Sequence, residues 1–114
     1  MFSVPNKAPI FLRTGATDMR KSINGLSALV QYEMKQDPFA YGYYVFCSRS
    51  RKLLKILYWD RTGFAMLYKR LEADRFPWPD DREAVAAVTP EELEGLLSGI
   101  DYFRKHKEMT FSRV

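Results

Sequence analysis

The stretch YYVFCSRSRKLLKILYWDRTGFAMLYKRL, residues 43–71, decides the fold. It holds three runs rich in aromatic and branched side chains, Tyr43 to Ser48, Lys52 to Asp60 and Phe64 to Leu71, and such runs favour strands. Their connectors are short. Ser48-Arg49-Ser50-Arg51 makes one hairpin loop, and Asp60-Arg61-Thr62-Gly63 puts Asp and Gly where a type I turn favours them, leading into a bulge. An antiparallel meander is expected. If Arg61-Thr62-Gly63 is a three-residue loop, Leu53, Leu57, Trp59, Leu67 and Leu71 share one face of the second hairpin, and Ile56, Tyr58, Phe64, Met66 and Tyr68 share the other. Both faces then need a cover, and one long helix supplies only one.

Upstream, Pro5 and Pro9 bracket a lead-in to a short strand, Ile10 to Arg13, and Thr14-Gly15-Ala16 turns the chain before Thr17 and Asp18, either of which can cap a helix. Met19, Ile23, Leu26, Leu29, Val30 and Met34 follow in steps of three and four, giving one apolar helical face. That helix is expected to stop near Gln36, since Asp37 precedes Pro38. Downstream, Glu72 to Glu83 reads as an acidic, irregular excursion whose Phe76 and Trp78 fold back onto the core, and Ala84 to Val88 as a short edge strand. Thr89-Pro90-Glu91-Glu92 supplies a capping Thr, a proline at the first helical position and a Glu at the third, with Leu93, Leu96, Leu97 and Ile100 along one face. The pattern predicts a single small α+β domain over residues 1–100, an antiparallel β-meander packed against an N-terminal helix with a short C-terminal helix. Residues 101–114 read as a basic, mobile tail.

The second face of the hairpin has three candidate covers: the Phe76 to Trp78 excursion with the C-terminal helix, a second copy of the chain in a homodimer, or nucleic-acid bases stacking on its aromatics. At 114 residues, 46% hydrophobic and 15% aromatic, the chain suits one core. A lone Cys47 excludes an intramolecular disulfide, and with His106 as the single histidine no Cys/His zinc site can be built. No apolar run suggests a signal peptide or a membrane span, so a cytoplasmic protein is expected.

Charge is unevenly spread. Residues 1–70 carry twelve Lys and Arg against four acids, and residues 71–99 carry two against eight. One surface suits an anionic partner and another a basic one. Catalysis is not expected. Asp18, Asp37, Asp60 and Glu72 have local roles in caps, turns and strand ends, no glycine-rich phosphate loop is present, and neither Cys47 nor His106 has a partner that would activate it. No metal or cofactor is expected. The candidate DNA contacts are Arg20 and Lys21 in the first turn of the helix, Arg49, Arg51 and Lys52 at a hairpin tip, and Lys55, Lys69 and Arg70 on the second hairpin. In the three-residue-loop register Lys55 faces Lys69, a repulsive pair that an intervening phosphate would relieve; a two-residue loop would set Lys55 opposite Tyr68 instead.

Thr17-Asp18-Met19-Arg20-Lys21, Asn24-Gly25-Leu26, Asp37-Pro38-Phe39, Lys55-Ile56-Leu57, Trp59-Asp60, Lys69-Arg70-Leu71-Glu72, Trp78-Pro79 and Thr89-Pro90-Glu91-Glu92-Leu93 resemble, in order and spacing, the TnpB-type (second open reading frame) accessory proteins of the insertion-sequence-sixty-six transposons. One departure is Ala73-Asp74, where similar sequences place a glycine. The resemblance implies a non-catalytic accessory role in bacterial transposition, beside a separate transposase that bears the catalytic carboxylates. Two readings stand: a DNA-binding subunit that grips transposon phosphates, or a module that docks onto the transposase or another accessory protein through aromatic anchors such as Trp59 or Trp78.

Overall fold

A computed structural model of the chain describes residues 7–80 and 85–98. Its elements run β1 (Ile10–Arg13), α1 (Ile23–Tyr32), β2 (Tyr43–Cys47), β3 (Leu53–Asp60), β4 (Gly63–Arg70), β5 (Val85–Val88) and α2 (Pro90–Leu97). The strands form one sheet in the order β4-β3-β2-β1-β5. β2, β3 and β4 are the antiparallel meander. β1 lies parallel to β2, a pairing that needs a crossover, and α1 is that crossover. β5 closes the far edge antiparallel to β1.

Each face of the sheet has its own core. Against one, Leu26, Leu29 and Val30 of α1 and Met34 just beyond it pack on Tyr44, Phe46 and Leu57. Against the other, Phe76, Trp78 and the α2 residues Leu93, Leu96 and Leu97 cover Ile10, Leu12, Val45, Leu54 and Ile56. Internal covering of the second face is therefore the arrangement adopted. Each large side chain so buried contributes about 1.5–3 kcal/mol relative to exposure. The Trp78 indole Nε1 also donates to Arg13 O at 2.9 Å, which satisfies its one polar atom inside the core.

The β3–β4 loop differs from the three-residue expectation. Asp60 pairs with Gly63, so the loop is Arg61-Thr62 and there is no bulge at Gly63. Arg61 takes the positive φ, 53°, that the first central position of a primed hairpin turn demands, a job the sequence pattern gave to glycine. The one-residue shift turns β4 over: Phe64 and Met66 join Leu57 on the α1 face, while Leu67 and Leu71 join Ile56 and Tyr58 on the α2 face. Lys55 consequently faces Tyr68, and Lys69 faces Leu54. The Lys55–Lys69 pair does not exist.

α1 also begins later than its apolar spacing suggested. Its N-cap is Ser22, whose side chain makes no capping bond, and the Asp18 carboxylate instead accepts from Arg20 N at 2.9 Å, tightening a turn ahead of the helix. Arg20 and Lys21 thus stand in the lead-in, outside the first helical turn. At the other end α1 stops at Tyr32, Lys35 takes φ 59°, and Gln36 N–H donates back to Val30 O at 3.0 Å. α2 starts where the sequence signals it: Thr89 Oγ1 accepts from Glu92 N at 3.1 Å, and Glu92 Oε1 accepts from Thr89 N at 2.8 Å. The tail 101–114 and His106 lie outside the described residues.

Candidate nucleic-acid interface

The chain between β1 and α1 is pinned to the sheet from two sides. Thr17 N–H donates to Cys47 O at 2.8 Å, three residues beyond the position that the β1–β2 register would set there. Lys55 Nζ donates to Met19 O at 2.8 Å and to Lys21 O at 3.4 Å. Arg13 Nη1 reaches Ala16 O and Thr17 Oγ1, both at 3.0 Å, while Arg13 Nη2 pairs with Glu33 on the turn after α1 at 2.5 Å. Sequence reading missed Arg13 as an organiser of this loop; a cation closing a strand, four residues before a buried threonine, is a weak signal on its own.

Held this way, the Thr17 to Arg20 segment stands across from the Ser48 to Ser50 turn, and a cleft of about 460 Å³ opens between them with Leu53 also in its lining. The turn is built by its serines. Ser48 Oγ accepts from Leu53 N at 3.0 Å and lies 3.0 Å from Ser50 Oγ. Arg51 then takes φ 65°, with its N–H donating to Ser48 O at 3.0 Å. Thr17 and Ser48 are the buried polar residues among those described, and both line the cleft.

The eight candidate cations fall into distinct settings. Arg20 and Arg49 line the cleft and are exposed, with exposed Lys21 next to Arg20. Arg20 grips Asp18 at 2.8 Å, and this guanidinium holds the Asp18 carboxyl down to about 2. Among the described residues Lys21 and Arg49 form no ion pair. Arg70 pairs across the strands with Leu53, so it flanks the cleft, and it bonds Glu72 at 2.8 Å. Lys55 serves the lead-in from beneath and sits 5.8 Å from the Tyr68 ring centre. Lys52 is half-buried beside the turn.

Two candidates point elsewhere. Arg51 turns inward beside Cys47, and its Nη1 is buried without a hydrogen-bond partner among the described residues. Burial pushes the Cys47 thiol up to about 11, with Arg51 opposing, so this cysteine is an inert core thiol. Lys69 lies on the α2 face, where its Nζ donates to Leu97 O in the last turn of α2, a cation at the negative end of a helix.

The aromatic candidates also separate. Trp78 is 9% exposed and committed to the core. Trp59 is half-buried at the opposite end of β3 from the cleft. Its ring meets Phe39 and Phe64 at 5.1 Å, and Phe39 remains 58% exposed. The cleft-lining Leu53 and Trp59 are about six residue steps apart along β3, roughly 20 Å at the usual rise. No group of His, Cys, Asp and Glu among the described residues could hold a metal, and no helix among them is long and apolar enough to cross a membrane.

Fold and site together define a small two-core α+β domain, with Arg20, Lys21 and Arg49 exposed around the cleft at one end of a mixed sheet and an aromatic cluster, beside exposed Arg61, at the other. The chain belongs to the family of IS66 Orf2-like proteins, whose profile matches residues 8–107. It is similar to the uncharacterized protein y4hO of Sinorhizobium fredii, with 37% identity over 90% of this chain and 87% of that protein. A second uncharacterized S. fredii protein, y4jC, shares 33% identity over 83% of this chain and 81% of its own length. No solved structure matches the chain. The family connects it with an insertion-sequence accessory role.

Proposed function

We propose that this protein acts in bacterial DNA transposition and recombination as a non-catalytic DNA-binding accessory subunit, gripping phosphates at the cleft with Arg20, Lys21 and Arg49 while Arg70 flanks them. The observation that carries this reading is the convergence of two loops far apart in sequence on one open, polar cleft whose lining includes both Arg20 and Arg49. Hydroxyls of Thr17, Ser48 and Ser50 and the two arginines are the donor types that phosphate oxygens take. Lys55 holds the lead-in in place, and Lys69, Arg51 and Trp78 serve the fold. Asp18 acts as an internal competitor for Arg20 that a phosphate displaces.

The test is fluorescence anisotropy with transposon-end and unrelated duplexes across a salt series, with the chain alone and with the transposase. Binding by the chain alone that weakens steeply with salt, falls in Arg49→Ala and tightens in Asp18→Asn is the expected result. No binding at low salt rejects the reading.

A second reading has its own observation. Phe39, more than half exposed on top of Trp59, is an aromatic anchor of the kind protein interfaces use, so the module would dock there onto the transposase or another accessory protein. Salt-insensitive capture of the transposase, lost in Phe39→Ala and kept in Arg49→Ala, would favour it.

A further inference from the structure

Among the described residues β4 is an edge strand, and its outward hydrogen-bonding groups can be assigned. Leu71 N–H donates to Lys52 O at 2.8 Å, and Asp60 pairs with Gly63 around a two-residue turn. In an antiparallel ladder bonded and non-bonded pairs alternate, so Gly63, Ala65, Leu67 and Lys69 turn their main-chain groups to β3. Phe64, Met66, Tyr68 and Arg70 turn theirs outward. Edge strands are normally blunted by proline, a bulge, a mid-strand lysine or a covering helix. β4 has an unbroken register and no proline, its residues from Gly63 to Tyr68 carry no charge, and among the described residues it ends the sheet. Beside this edge, on the α1 face, Tyr68 is 54% exposed and Phe64 and Met66 are half-buried.

We infer that β4 pairs with the β4 strand of a second copy, antiparallel about a two-fold axis at Met66, to form one continuous sheet across a homodimer. The strand is self-complementary in this register. Main-chain bonds form at Met66 with Met66 and at Phe64 with Tyr68, and the same pairing sets an aromatic pair across the junction on the α1 face. Ala65 meets Leu67, so no like charges meet along the apolar stretch. Lys69 meets Gly63 of the second copy, and Gly63 is paired in turn with Asp60. With no side chain on Gly63 and Lys69 already bonded to Leu97 O, no like charges face each other on this row either, and this self-complementarity of one strand in one register favours a second copy over an unrelated strand.

Sedimentation velocity and light scattering on the full chain across a concentration series test this, with Met66→Pro, Leu67→Pro and Tyr68→Glu. Wild type is expected at twice the 13.4 kDa chain mass. Met66→Pro removes an outward donor and a half-buried side chain of the α1-face core, so it is expected to shift the mass to the monomer with circular dichroism preserved and the melting temperature lowered. Leu67→Pro removes an inward donor and is expected to lose the fold. Tyr68→Glu faces Lys55 within its own chain and Phe64 of the second copy, and is expected to give a folded monomer. A wild-type monomer at every concentration overturns the inference. So does a dimer that persists in folded Met66→Pro and Tyr68→Glu, and so does a Met66→Pro variant that is destabilised with no change of mass, which would show the edge covered from within the chain.

Discussion

Asp74 follows β4 with φ 62°, in the left-handed region where a Cβ crowds the next carbonyl. The family resemblance leads one to expect a glycine at Ala73-Asp74, and aspartate is among the few residues that accept the conformation at modest cost. Asp74→Gly is therefore expected to raise stability, by about 0.5–1 kcal/mol, read as a higher denaturant midpoint at unchanged slope. Asp18 offers a second residue-scale check. Its carboxyl is held near 2 by the hydrogen bonds and charge of Arg20, below its ordinary unfolded value, so the pair's contribution to stability is complete above pH 4. It is lost as pH falls from there through 2. Carboxyl carbon NMR should show a midpoint near 2 in the wild type and a raised one in Arg20→Ala, still below the usual aspartate value because the main-chain N–H at that position and Lys21 continue to favour the carboxylate. Arg51 shows what residue-level reading could not foresee: in a loop spelled Ser-Arg-Ser-Arg the exposed Arg49 and the inward Arg51 look alike, and the left-handed turn that separates them is invisible in composition.

At the scale of elements, the signals that succeeded were those with redundant chemistry. Thr89, Pro90 and Glu92 each mark the start of α2 independently, and the capping box forms as the spacing requires. Thr89→Ala should cost about 1 kcal/mol in a chemical denaturation curve. Lys69→Met removes a cation from the C-terminal carbonyls of the same helix and is expected to cost about 0.5–1 kcal/mol, with DNA affinity unchanged within twofold. The signals that failed were those resting on a single count. One residue in the Asp60 to Gly63 loop moved Phe64, Met66 and Tyr68 from one face to the other and dissolved the lysine pair. α1 likewise lost its first turn because Asp18 found a closer donor in Arg20 N than the helix could offer. Periodicity located the helix, while side-chain competition for main-chain groups set its end. The candidate site was legible only as a list of cations. Its assembly depended on Thr17 meeting Cys47, a contact between segments that no local pattern links.

For the whole molecule, a sheet with a core on each face leaves its ends as the free polar surfaces, and the two ends of the β3–β4 hairpin differ in chemistry. If three cations at the cleft meet phosphates, the logarithm of the DNA affinity should fall with the logarithm of salt with a slope of about −2.7, and Arg49→Ala should reduce that slope by about one. The sheet order also governs how the chain can reach its native state. β1 sits between a neighbour that follows it after one helix and another, β5, that pairs residue 10 with residue 88. The meander from β2 to β4 can assemble from local contacts as soon as it is made, but β1 keeps a bare edge until the far end of the chain arrives to cover it. During synthesis from the N-terminus the first strand is thus sealed nearly last. A chain stopped before residue 85 would lack both β5 and α2, leaving the β1 edge bare and much of the α2 face open, and arrival of residues 85–97 is the event that turns a sticky intermediate into a finished domain.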